Sequence, residues 1–106
     1  MCIYTMSTVF EWDEQKNKAN RRKHGYDFAE AALVFKDSGL VLEFDRVDES
    51  GAERCHAIGL LPRGPLLLVV HIHKGVNENG EETIRIISAR AASPGEGRRY
   101  FQQTAH

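Results

Sequence analysis

Apolar residues fall into two rhythms along the chain, three to four positions apart before Gly39 and two apart after it. Val9 to Trp12 is a short apolar lead. Asp13 then offers an N-cap for a polar helix running to about His24, and Gly25 supplies the left-handed residue that ends it. Asp27 caps a second helix, with Glu30 three positions on as its capping-box partner, and Phe28, Ala31, Ala32 and Phe35 form the buried stripe. Beyond Gly39 the period is that of strands: Leu40–Arg46, Arg54–Leu61, Leu66–His73 and Thr83–Arg90, each bounded by turn residues. Four such segments at hairpin spacing predict an antiparallel meander. The unbroken run Leu66 to Val70 predicts a central strand covered on both faces. Ser93-Pro94-Gly95-Glu96 reads as a helix start with cap, first-turn proline and capping-box glutamate, leading into a short basic helix through Tyr100. The expected fold class is α+β: two N-terminal helices, a four-stranded antiparallel sheet and a C-terminal helix.

The length of 106 residues leaves room for one core, expected over residues 8–106, with residues 1–7 as a flexible extension. A 42% hydrophobic share argues against disorder, and no apolar run is long enough for a membrane span or a signal peptide. Cys2 and Cys55, the two cysteines, write no disulfide framework, so a reducing cytoplasm is the expected setting. The formal net charge of -1 first argues against a nucleic-acid partner. Its distribution argues otherwise. Asp37, Glu43, Asp45, Asp48, Glu49 and Glu53 face a single base, Arg46, over their stretch, whereas Lys16, Lys18, Arg21, Arg22 and Lys23 crowd one helix with no acid among them. If that helix lies beside the last strand, a cationic cleft sits next to an acidic flank.

Four groups of residues offer chemistry. Lys16, Asn20 and Lys23 stack on one helix face with Arg21 and His24 beside them, a surface suited to a phosphate chain; bases at a helix C-terminus also simply complement its dipole. In a regular final strand Ser88 and Arg90 point to one face and Arg85 to the other, so a hydroxyl and a guanidinium converge on one oxyanion, unless Arg90 pairs with an acid such as Glu53. Glu53, Arg54 and His56 open the second strand, where alternation sets Arg54 and His56 on one face and Glu53 on the other; an exposed cross-strand ion pair is the alternative. His71 and His73 share a strand face, but no third or fourth ligand completes a metal motif. There is also no glycine-rich phosphate loop, nucleophile elbow or dinucleotide fingerprint, so no cofactor is expected.

Taken in order, Phe10-Glu11-Trp12-Asp13, the Lys16–Asn20 helix ending in Lys23-His24-Gly25, Phe28, Glu30-Ala31 and Val34-Phe35 resemble the BrnT toxin family, as do Glu53-Arg54, Ile58-Gly59, Leu67–Val70, Arg85–Arg90 and Arg98-Arg99-Tyr100. The resemblance runs from about Phe10 to Tyr100. It implies a RelE-like ribonuclease of a bacterial type II toxin–antitoxin system, neutralised by a BrnA-type antitoxin and meeting operator DNA only through that antitoxin. It further implies a homodimer within a heterotetramer. Metal-independent RNA cleavage uses the substrate's own 2′-hydroxyl, so the protein needs a base, an acid and cations around the phosphorus. Under that reading His24 is the leading acid–base candidate, since imidazole titrates nearest neutral pH. Arg54 and Arg90 stabilise the transition state, Ser88 positions the phosphate and Lys23 supports it. Glu53 orients an arginine or acts as base, and Tyr100 stacks on a base or donates a proton. Lys16, Arg21, Arg22, Arg85, Arg98 and Arg99 are the expected RNA contacts. Two rivals stand beside it: a non-catalytic antitoxin-binding or regulatory module with a degenerate site, and a metal-dependent nuclease using His56, His71 and His73.

Overall fold

Strand β1 (Thr8–Glu11) leads into helix α1 (Glu14–His24) and then into α2 (Phe28–Ala31), which tightens into a 3-10 turn at Ala32–Lys36. Strands β2 (Val41–Val47), β3 (Glu53–Leu60), β4 (Leu66–Val76) and β5 (Glu82–Ala91) follow, and helix α3 (Pro94–Thr104) closes the chain. This computed structural model describes residues 8–104, so the expected extension at residues 1–7, including Cys2, lies outside the described residues. No helix among the described residues is long and apolar enough to cross a membrane.

The meander of β2 to β5 is antiparallel as the alternation predicts, but the sheet has five strands and is mixed, in the order β1-β5-β4-β3-β2. The extra strand is the apolar lead, which pairs parallel to β5 with Phe10 opposite Ile84 and Glu11 opposite Arg85. A second correction concerns the second helix. It keeps its Asp27 cap, whose carboxylate accepts from Ala29 N–H at 2.9 Å, yet it is α-helical for four residues only. The tighter turn that follows ends with Asp37 N–H on Val34 C=O, swinging the chain into β2 within a few residues.

β4 is central, and its alternate side chains feed two cores. Leu67 and Val69 join Phe28, Ala31, Val34, Ala57, Ile86 and Ala89 under α2 and the 3-10 turn. Leu68 joins Val41, Ile58 and Tyr100 on the opposite side, under α3. We call these the α2 face and the α3 face. Gly59 lets β3 meet the 3-10 turn: a Cβ there would lie 2.8 Å from Val34 Cβ and 3.0 Å from Val34 C=O.

Helix α1 has no apolar stripe and is held by two buried asparagines one turn apart. Asn17 accepts from Phe28 N–H at 2.8 Å and donates to Glu14 at 3.0 Å. Asn20 accepts from Ala89 N–H at 3.0 Å and donates to Ala89 C=O at 2.9 Å, satisfying the β5 backbone where β1 has already ended. Gly25, at φ 86°, ends the helix with its N–H on Arg21 C=O. In α3 the expected capping box is present: Ser93 N–H donates to Glu96 at 2.8 Å and Glu96 N–H to Ser93 Oγ at 3.2 Å.

Candidate active site

The site is set by a bulge. Val70 pairs with Ser88 and His71 with Ile86, so Ile87 is an extra residue in β5. Ile86 and Ala89 both lie in the α2-face core, which leaves Ser88 and Arg90 on the α3 face. Arg85, opposite Ile72, is on that face too. The expectation that Arg85 turns away is therefore overturned, because one inserted residue resets the alternation. Strand β3 is regular here, and Arg54 opposite Ile72 and His56 opposite Val70 project from the same α3 face. Across the sheet this makes two rows: Glu43, His56, Val70 and Ser88, then Arg54, Ile72 and Arg85. Tyr100 and α3 cover the neighbouring row of Val41, Ile58 and Leu68, against whose margin Val70 packs, and the rest of the polar rows lies beyond it. A shallow cleft of about 430 Å³ opens at the far end, between Arg85, Lys74 and Ile72 and the β2–β3 turn at Gly51 to Glu53.

Every arginine of this face carries a carboxylate. Arg90 forms a bidentate pair with Glu96, both contacts 2.8 Å. The guanidinium, with help from the Ser93 amide, holds Glu96 down to about 2 against its burial, and Glu96 in turn raises Arg90. Arg85 meets Glu11 at 3.2 Å, and Glu11 also receives Lys74 at 3.1 Å, the contact that does most to hold its carboxyl below the usual range. Arg54 donates to Asp48 at 3.1 Å; Asp48 lies well below its ordinary value, chiefly through the Ser50 hydroxyl. Arg99 forms two bonds to Glu43 at 2.8 and 3.0 Å. His56 Nε2 lies 3.4 Å from Asp45, and its side chain is 24% exposed. The partner of Arg90 is thus Glu96, not Glu53. Glu53 is exposed at the start of β3 and faces the other way from Arg54 and His56.

The remaining expected residues are elsewhere. α1 runs along β5, with Glu11 opposite Arg85 before it and Asn20 clasping Ala89 within it, but its cations stay off the sheet face. Lys16, Arg22 and Lys23 are exposed with no carboxylate partner among the described residues, Arg21 pairs with Asp27 at 3.1 Å, and His24 is half-buried at the helix end. Arg98 is exposed on α3. Tyr100, expected to stack on a base or donate a proton, is a core side chain 5% exposed. Its hydroxyl donates to Asp37 at 2.7 Å, and that carboxylate pushes the phenol up to about 12. Burial raises Asp37, but Tyr100 and the Leu60 and Gly39 amides outweigh it and hold it below the ordinary value.

The three histidines of the metal-dependent rival are split by the sheet. His71 is buried on the α2 face, edge-on to Phe35 at 5.0 Å between ring centres, and burial lowers its pKa. His73 shares that face and pairs with Glu82, whereas His56 points the opposite way. Among the described residues no three His, Cys, Asp or Glu side chains converge as a metal-binding group.

Of the candidates read from the sequence, Arg54, Ser88 and Arg90 share the α3 face, and His56, which the alternation of β3 already set beside Arg54, joins them there. Glu96 was legible only as a helix cap. One family model matches residues 12–96, that of the ribonuclease toxin BrnT of type II toxin–antitoxin systems. No curated protein matches the chain.

Proposed function

The chain belongs to the BrnT family of ribonuclease toxins, and from that premise we propose that it is a metal-independent endoribonuclease whose site is the α3 face of the sheet. The observation that carries this reading is the bulge at Ile87, which aligns Arg85, Ser88 and Arg90 with Arg54 and His56 on one surface. RNA lies across the two polar rows. His56, oriented by Asp45, takes the proton of a ribose 2′-hydroxyl, whose oxygen attacks the adjacent phosphorus. The bond to the 5′ oxygen breaks, a 2′,3′-cyclic phosphate forms, and the leaving oxygen takes a proton from water. Arg90 and Arg85 meet the charge that builds on the phosphoryl oxygens and Ser88 fixes one of them. The free cations of α1, Lys16, Arg22 and Lys23, with Arg21 and the α3 residues Arg98 and Arg99, attract the flanking backbone. Translation falls as RNA is cut, and a BrnA-type antitoxin restores it.

His24 is the competing base, favoured by its place in the most cationic turn of the chain. Paired variants decide between them. Incubated with single-stranded RNA in EDTA, the parent chain yields fragments ending in cyclic phosphate, and His56→Ala slows cleavage by about 100-fold or more. If His24→Ala falls by that factor while His56→Ala does not, the base is His24. Cleavage lost in EDTA and regained with zinc or manganese overturns the metal-independent mechanism. A folded parent that cuts no RNA, free or on ribosomes, returns the protein to the binding-module reading.

A further inference from the structure

β2 is the last strand on its side of the sheet, and its outer edge is unpaired among the described residues. Such an edge presents a row of free N–H and C=O groups. The strand is also unusually apolar for its exposure, with Leu42 and Phe44 each 62% exposed and Val47 56%. Register makes them one surface. Leu42 opposes Ala57 and Phe44 opposes Cys55, so both lie on the α2 face; the shift at Asp45 then sets Val47 opposite Glu53, on that same face. The core beneath α2 and the 3-10 turn contains no β2 side chain, so nothing described covers the three.

The flank around them says what fits. Arg46 and Arg54 are neutralised by Asp45 and Asp48, while Glu49 and Glu53 are exposed with no basic partner among the described residues. A second copy of the chain suits this edge poorly. Two β2 strands paired antiparallel with their apolar faces aligned set Glu43 against Glu43 or Glu43 against Asp45 in the registers centred on Glu43 and Phe44, and like charges directly opposed destabilise a sheet. An extended segment with apolar residues on one face and Lys or Arg near its ends meets the pattern instead.

We infer that the β2 edge is the docking edge for the antitoxin, which adds an extended apolar and basic segment as a sixth strand. This rests on the toxin–antitoxin reading above. The apolar side chains of that strand cover Leu42, Phe44 and Val47, its bases approach Glu49 and Glu53, and its backbone pairs with β2. Its opposite face emerges beside Glu43 and Asp45, next to His56, so docking also narrows access to the site row.

The test uses the chain co-expressed with its cognate antitoxin and compares amide hydrogen exchange in the free chain and the complex. Exchange at residues 42–47 is expected to slow by at least about 10-fold on complex formation, the mark of newly paired edge amides. The double variant Leu42→Ser, Phe44→Ser is expected to bind about 100-fold more weakly, from the loss of two covered apolar side chains, with thermal stability and RNA cleavage unchanged. Protection confined to α1 or α3, or a double variant that binds as tightly as the parent, overturns the proposal. A free chain that sediments as a dimer, and as a monomer once Leu42 and Phe44 are serine, overturns it in favour of self-pairing. If the intact chain binds no antitoxin, the toxin–antitoxin reading itself fails, and this inference with it.

Discussion

Arg90 and Glu96 form two parallel charge-assisted bonds, and the same carboxylate caps α3 through Ser93, so one side chain both starts a helix and aims a guanidinium at the sheet face. Glu96→Gln is expected to cost about 2 kcal/mol at pH 7, less than the pKa displacement alone suggests because Arg90 is 39% exposed. The sign with pH follows from the depressed carboxyl. Its contribution is full above the ordinary value of 4.5 and vanishes as pH falls toward about 2, so parent and variant denaturation midpoints converge below pH 4. Tyr100 gives the opposite kind of forecast: Tyr100→Phe removes the hydrogen bond to Asp37, lowers stability by about 1 kcal/mol and leaves RNA cleavage within twofold of the parent. Denaturant titration beside an RNA assay checks both. Residue types were readable from the chain, and so was the strand alternation that sets Arg54 with His56 and Ser88 with Arg90. Their company was not, since whether Tyr100 meets solvent or Asp37 depends on a contact 63 positions away.

Among the elements, α1 shows how a helix without an apolar stripe can still be fixed to a sheet. Asn20→Ala leaves the N–H and C=O of Ala89 without partners in a buried setting and is expected to cost about 3 kcal/mol. Gly59→Ala is expected to cost about 2 kcal/mol by forcing β3 and the 3-10 turn apart, read as a lowered melting temperature with an unchanged spectrum of the folded state. The caps at Asp13, Asp27 and Ser93 and the meander of β2 to β5 were plain in the sequence because caps and hairpins are local. β1 was not. Its four residues are too few to show a period, and its partner, Thr83 to Arg85, lies over 70 positions on. The bulge was hidden for a related reason: Ile86-Ile87 reads equally well as two alternating strand residues, and only the partner strand β4 reveals that one is extra.

For the whole molecule, the formal net charge of -1 describes neither surface that matters. The uneven spread of charge was visible in the sequence, and α1 does lie beside β5, but the arginines of the sheet face are paired with acids while Lys16, Arg22 and Lys23 of α1 have no carboxylate partner among the described residues. Attraction and chemistry are therefore separable. Lys23→Ala is expected to weaken RNA binding and to reduce the slope of log affinity against log salt by about 0.7, with the cleavage rate at saturating RNA within twofold of the parent. Binding isotherms at several salt concentrations, with single-turnover rates at each, measure both quantities. The extra residue at Ile87 has a consequence for lineages as well as for chemistry. Deleting Ile87 would turn no side chain over, since Ser88 would then follow Ile86 directly and still stand opposite Val70, whereas pairing Ile87 itself with Val70 in an unbulged strand would turn Ser88 and Arg90 into the α2-face core and drive Ala89 outward. Divergence at this position can thus proceed by replacement or by loss alike, so the register that sets Ser88 opposite Val70, more than the length of the strand, is what descendants of this fold must inherit.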